Sequence, residues 1–161
     1  MVGSVHDNMY LASLFDAGDV SRLFAPSAEI RAMLVVEGAL AKAQGAAGVI
    51  PEISAAAIQR AALEVQIDPA GLTSATAQNG VVIPALVAAF RDAMQAPEHA
   101  QYVHWGATSQ DVIDTGLMLR LRQSVALIRT NITEALVACA SLAENHADTV
   151  MVARTYGQHG A

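Results

Sequence analysis

Eight consecutive residues, His104-Trp105-Gly106-Ala107-Thr108-Ser109-Gln110-Asp111, gather an imidazole, two hydroxyls, an amide and a carboxylate around a glycine. An amphipathic helical pattern begins directly after them. Ser109 or Thr108 suits the N-cap of that helix, and Asp111 falls in its first turn. The first N–H groups of a helix have no intrahelical partner and carry the positive end of its dipole. A carboxylate or phosphate above this loop would therefore meet hydroxyl and amide donors together. His104 adds a group that can donate a hydrogen bond or move a proton near neutral pH. The plainer reading is a glycine turn before an ordinary capped helix. Trp105 is an apolar wall or simply packs.

A second group of candidate residues closes the chain: Arg154-Thr155-Tyr156-Gly157-Gln158-His159-Gly160-Ala161. Arg154 suits either a carboxylate clamp or a structural ion pair. Tyr156 can donate a proton, although a phenol with an unperturbed pKa of about 10 suits a different step from a histidine. Asn79, before Gly80, can hold a carboxylate through its amide or serve as a turn or cap residue. His6, His99 and His146 read as surface or loop positions. No His, Cys, Asp and Glu spacing matches a metal site, and neither a phosphate loop nor a dinucleotide fingerprint is present.

His-x-Gly-Ala-Thr-Ser-x-Asp resembles the first active-site segment of the fumarase/aspartase superfamily. The Arg154–Ala161 stretch is similar to its second, usually Arg-Thr-His-x-Gln. Glu37-Gly38-Ala39-Leu40-Ala41-Lys42-Ala43-Gln44, followed by Gly48-Val49-Ile50-Pro51, resembles the N-terminal domain of its cycloisomerases and lyases. The resemblance implies addition to, or elimination from, a carbon–carbon double bond of a small polycarboxylate, without metal or cofactor. It implies substrate-binding roles for Thr108, Ser109, Asn79, Arg154 and Gln158, and catalytic roles for His104, Tyr156 and His159. The lyases place a histidine where Tyr156 stands, and adenylosuccinate lyases carry Thr-x-His-Asp near Asn79. The carboxymuconate cycloisomerase branch, which acts in protocatechuate breakdown and retains Gln-His, resembles this chain better. Adenylosuccinate cleavage is the alternative, and a noncatalytic helical assembly module is a third reading. The resemblance also implies a homotetramer with a shared helical core. The family's third segment, Ser-Ser-x-Met-Pro-x-Lys-x-Asn, is not found, so the chain is expected to be a fragment of a longer enzyme.

The elements that would position these residues are helical. Ser27 is a candidate N-cap, followed by Ile30, Met33, Leu34, Glu37 and Leu40 at helical spacing, with the helix ending near Ala47 before Gly48. Ser54 is expected to cap a second helix to about Glu64. Asp68-Pro69 starts a short piece, and Asn79-Gly80 breaks the chain. A helix over 81–94 holds Pro84 in its first turn, and 97–108 reads as a loop. A short helix is expected between turns at Gly3 and Gly18-Asp19. Over 109–146, Ile113, Leu117, Leu121, Val125, Ile128, Ile132, Leu136, Cys139 and Ala143 recur every three or four residues, as in a bundle helix. Cys139 reads as core packing. Residues 149–155 have extended, β-branched character.

The fold class is therefore all-α: an N-terminal helical domain over 1–107 and the start of a central helix bundle over 108–161. The 161 residues are 53% hydrophobic and 15% charged, with a net charge of −6 and a single lysine, Lys42, which speaks against a nucleic-acid-binding face. No signal peptide is recognisable, and no apolar run reaches the roughly 18–20 residues that span a bilayer. A lone cysteine fits a reducing cytoplasmic setting. So apolar a chain is expected to bury its surplus surface against other subunits.

Overall fold

The computed structural model describes Tyr10, Leu11, Leu14, Phe15 and residues 17–160. The expected turn at Gly3, His6 and most of the first short helix lie outside the described residues. The helices are α1 (Asp19–Leu23), α2 (Pro26–Ala46), α3 (Glu52–Glu64), α4 (Thr73–Asn79), α5 (Ile83–Met94), α6 (Pro97–Ala100) and α7 (Ser109–Asn145), with a 3₁₀ turn at Pro69–Leu72. Strands β1 (Ala153–Thr155) and β2 (Gln158–Gly160) form one antiparallel hairpin. The fold class is all-α, as the sequence pattern indicates. Two compact units are present, Met1–Ser124 and Val125–Ala161.

Prolines, not the expected serines, set two helix starts. Pro26 occupies the first turn of α2, where its fixed φ fits and its missing N–H is harmless, so Ser27 lies inside the helix. α3 starts at Glu52 behind Pro51, and Ser54 is buried in its first turn. Pro97 likewise begins the helical turn α6 within a stretch expected to be loop. Asp68 caps the 3₁₀ turn as expected, its Oδ1 accepting from the Ala70 N–H at 3.0 Å. Gly80, with φ 75°, takes the left-handed position that ends α4.

The core of the first unit is built on one face of α2. Ile30, Met33 and Leu34 pack with Ile58 of α3, Ile83, Leu86 and Phe90 of α5, and Val112 of α7. Small residues let the backbones approach. A Cβ at Gly38 would lie 2.8 Å from the Ala62 Cβ, and one at Gly45 would lie 2.5 Å from the Ala55 Cβ. Gly116 of α7 sits against Met33. Arg120, buried, reaches back to the start of α2, where its Nη2 lies 3.1 Å from Glu29 Oε1 and its guanidinium lies 5.5 Å from the centre of the Phe24 ring. A partly desolvated pair with a cation–π contact holds better than an exposed ion pair.

In the second unit, Val125, Ile128, Ile132 and Leu136 of α7 are exposed. Cys139 is exposed too, which corrects its reading as core packing, because the described residues bring no second long helix to that stripe. An 18-residue stretch of α7 with mean hydropathy 1.4 is long and apolar enough, by length and composition only, to cross a membrane. Arg129 and Glu134 interrupt that stretch, so it is not an unbroken apolar run.

Glu37 stands in the apolar stripe of α2 and is 2% exposed. Burial pushes its carboxyl above the ordinary 4.5, while the hydrogen bond and charge of His104, and then Arg91, pull it down less. The folded carboxyl thus keeps its proton to higher pH than the unfolded one. Its contribution to stability is full below 4.5 and is lost as pH rises through the raised folded value. Urea midpoints measured from pH 4 upward should therefore fall less steeply in Glu37→Gln than in the wild type; equal slopes would contradict this. Gly38→Ala should destabilise the fold by roughly 1–3 kcal/mol through overpacking against Ala62. Urea unfolding checks it, since an exposed helical glycine would instead gain about 1 kcal/mol.

Candidate active site

The loop before α7 is fixed to the core through three successive residues. Arg91 Nη2 of α5 donates to the Val103 carbonyl at 2.8 Å, and the Val103 side chain is fully buried. His104 Nδ1 lies 2.7 Å from Glu37 Oε1. Gln44 Nε2 donates to the Trp105 carbonyl at 2.6 Å. Glu37 and Gln44 are two helical turns apart, so α2 presents both along one side. The Trp105 ring is half exposed and tilts against Tyr102, with centroids 5.7 Å apart.

These anchors hold an unfavourable backbone. His104 has φ 62° and Gly106 has φ 67°. Glycine adopts that region freely, but a residue with a Cβ does so at a cost of order 1 kcal/mol. The His104 side chain is 18% exposed and Glu37's is 1% exposed. Glu37 Oε2 is buried without a hydrogen-bond partner among the described residues. None of the described residues bonds His104 Nε2.

The start of α7 is a reciprocal cap. The Thr108 N–H and Oγ1–H both donate to Asp111 Oδ2, at 2.9 and 2.8 Å, and the Asp111 N–H points back to Thr108 Oγ1 at 3.4 Å. These bonds hold the Asp111 carboxyl below its ordinary 3.8. Asp111 is thus a helix-start residue, and the Thr108 hydroxyl proton is engaged with it. Ser109 is half-buried, and its hydroxyl bonds none of the described residues. Three residues, Trp105, Gly106 and Ala107, separate the anchored imidazole from the Thr108-Ser109 pair.

Asn79 is the exposed last residue of α4 and bonds neither His104 nor the Thr108-Ser109 pair. The remaining candidates belong to the second unit. In the hairpin, Arg154 is in register with His159, and Thr155 with Gln158. Tyr156 (φ 40°) and Gly157 (φ 85°) form the two-residue turn between the strands. Tyr156 is fully exposed at that tip.

Three residues matter more than the sequence reading allowed. Glu37 and Gln44 fell within a noted motif without a role, and Arg91 was passed over. The available signal was Glu37 itself, a charged residue at a stripe position of an otherwise apolar helix face. His99, read as surface, is half-buried, with Nδ1 3.1 Å from the buried Ser54 Oγ. His146 is exposed as expected. A groove of about 520 Å³ runs between α3 and the α5–α6 region past Arg60 and His99, and includes none of the candidate residues. Among the described residues, no cluster of three or more His, Cys, Asp or Glu could hold a metal ion.

Comparison with known proteins completes the picture. A 3-carboxy-cis,cis-muconate cycloisomerase from Bradyrhizobium diazoefficiens is 44% identical over 129 residues, covering 79% of this chain and 29% of that protein. The crystal structure of the 3-carboxy-cis,cis-muconate lactonizing enzyme from Pseudomonas putida superposes with a TM-score of 0.87 at 36% identity, covering 94% of this chain and 35% of that one. An adenylosuccinate lyase from Methanothermobacter thermautotrophicus is 35% identical over 131 residues, 81% of this chain and 29% of that protein. The chain thus spans about a third of the length of these relatives. The family model described as Lyase matches residues 17–161, and the chain belongs to that family, in line with its resemblance to the fumarase/aspartase superfamily.

Proposed function

We propose that the protein carrying this chain is a 3-carboxy-cis,cis-muconate cycloisomerase. The observation that carries the reading is the anchored imidazole of His104 set just ahead of the Thr108-Ser109 helix start, in a chain whose relatives include proteins of that name. In this reading a substrate carboxylate oxygen adds across a double bond of the same molecule. The new C–O bond closes a lactone, and the displaced π pair is held as an aci-carboxylate until a proton reaches that carbon. Because the nucleophile is part of the substrate, proximity replaces an enzyme nucleophile. What the protein supplies is donors aimed at the growing negative charge and a proton source.

Ser109 and the first N–H groups of α7 are assigned to one carboxylate, with Asn79, Arg154 and Gln158 assigned to the others. Thr108, expected to bind the same carboxylate, gives its N–H and hydroxyl to Asp111 and instead shapes the helix start. His104, Tyr156 and His159 are the candidates for proton transfer. Tyr156, standing where the lyases have a histidine, favours the cycloisomerase over adenylosuccinate cleavage. The exposed stripe from Val125 to Leu136 supports association in which subunits bury that face. The homotetramer, the cytoplasmic setting and the absence of a cofactor rest on the family resemblance.

The test offers the intact protein 3-carboxy-cis,cis-muconate and adenylosuccinate separately. Loss of the conjugated-diene absorbance should occur with the first and no cleavage with the second. His104→Ala should lower kcat/KM by about 100-fold or more, the usual scale for a lost proton-transfer group. Cleavage of adenylosuccinate alone would overturn the assignment.

A further inference from the structure

We propose that Glu37 is a positioning residue for His104: its Oε1 takes the Nδ1–H of the imidazole, fixes the ring tautomer, and leaves Nε2 as the nitrogen that faces substrate chemistry. The proposal rests on the reading of His104 as a site residue. Glu37 touches no candidate substrate group and acts only through His104.

The geometry is specific. The 2.7 Å Glu37–His104 contact links two residues 67 positions apart, between a fully buried carboxyl and a ring that is 18% exposed. A neutral imidazole carries its proton on one nitrogen, and the bond made at one ring nitrogen decides the state of the other. With Nδ1–H given to Glu37, Nε2 is an acceptor when the ring is neutral and a donor when it is charged.

A purely structural role explains Glu37 poorly. Arg91 and Gln44 already hold the loop backbone on either side of His104, through the carbonyls of Val103 and Trp105. Glu37 bonds neither carbonyl and reaches only the ring. Its second oxygen is buried with no partner among the described residues, a cost that an apolar residue of similar size would avoid. Burial also raises the carboxyl above its ordinary value despite the adjacent imidazole, so the contact persists against a desolvation cost. Partners that orient a working histidine in this way are typically worth about 10–100-fold in activity.

The decisive variant in the intact protein is Glu37→Met, which keeps the volume and removes the acceptor. The proposal expects kcat to fall about tenfold or more while KM stays within about threefold, with the folding midpoint unchanged or raised. Glu37→Gln, whose amide oxygen can still accept the Nδ1–H, should recover part of kcat. Nitrogen-15 NMR of labelled histidine should show His104 in the wild type with Nδ1 protonated and Nε2 bare, and a mixture of tautomers in Glu37→Met. An unchanged kcat in Glu37→Met beside a disabled His104→Ala overturns the positioning role and leaves the site reading intact. Full activity of His104→Ala instead sinks the site reading, whatever Glu37→Met does. A wild-type ring protonated at Nε2 would overturn the proposal without any variant, even if Glu37→Met failed to fold.

Discussion

Everything at the candidate site depends on a carboxyl placed where the core pattern calls for a methyl group. Glu37 follows Ile30, Met33 and Leu34 along α2 at positions that face inward. Removing a carboxyl from water is costly, and only one of its oxygens has a partner among the described residues. The contact with His104 answers part of that cost and holds the imidazole in place. With Arg91 and Gln44 holding the neighbouring carbonyls, the left-handed backbone of His104 is over-determined. That is the condition under which a locally unfavourable conformation persists.

Helix α2 can act as this platform because its other contacts are tight. Gly38 and Gly45 admit α3 at distances where an added methyl would collide. The Glu29–Arg120 pair and the Gly116–Met33 approach fix the start of α7 against the same helix. Interiors packed this closely transmit small displacements instead of absorbing them. The imidazole on its loop and the Thr108-Ser109 helix start are therefore both referenced to α2.

Much of this was legible in the residues. The α7 start was readable because Thr-x-x-Asp at a helix entrance has one favourable geometry, the reciprocal cap. The break at Asn79-Gly80 and the placement of Pro84 follow from equally local rules. Ser27 and Ser54 misled because a neighbouring proline, with its φ already set, competes successfully for the helix start. The Glu37–His104 contact was not legible, because its partners are 67 residues apart and no local rule joins them. The motif that holds Glu37 marked a helix; only the packing of α2 against the loop shows what the carboxyl meets. Cys139 failed for a related reason. Periodicity identifies the face of a helix that seeks burial but not whether this chain supplies the cover.

That distinction separates the two units physically. In the first, strained backbone and buried charge are tolerated because packing on every side exceeds their cost. In the second, Val125, Ile128, Ile132 and Leu136 stand in water, each forgoing a stabilisation of about 1.5–3 kcal/mol available on full burial. Tyr156 projects from a two-residue turn at the tip of a hairpin of three-residue strands, and a lone hairpin is marginally stable in water. A hairpin this short needs further contacts to hold Tyr156 in one orientation. The His104 loop needs no such help, since its anchors lie within the first unit.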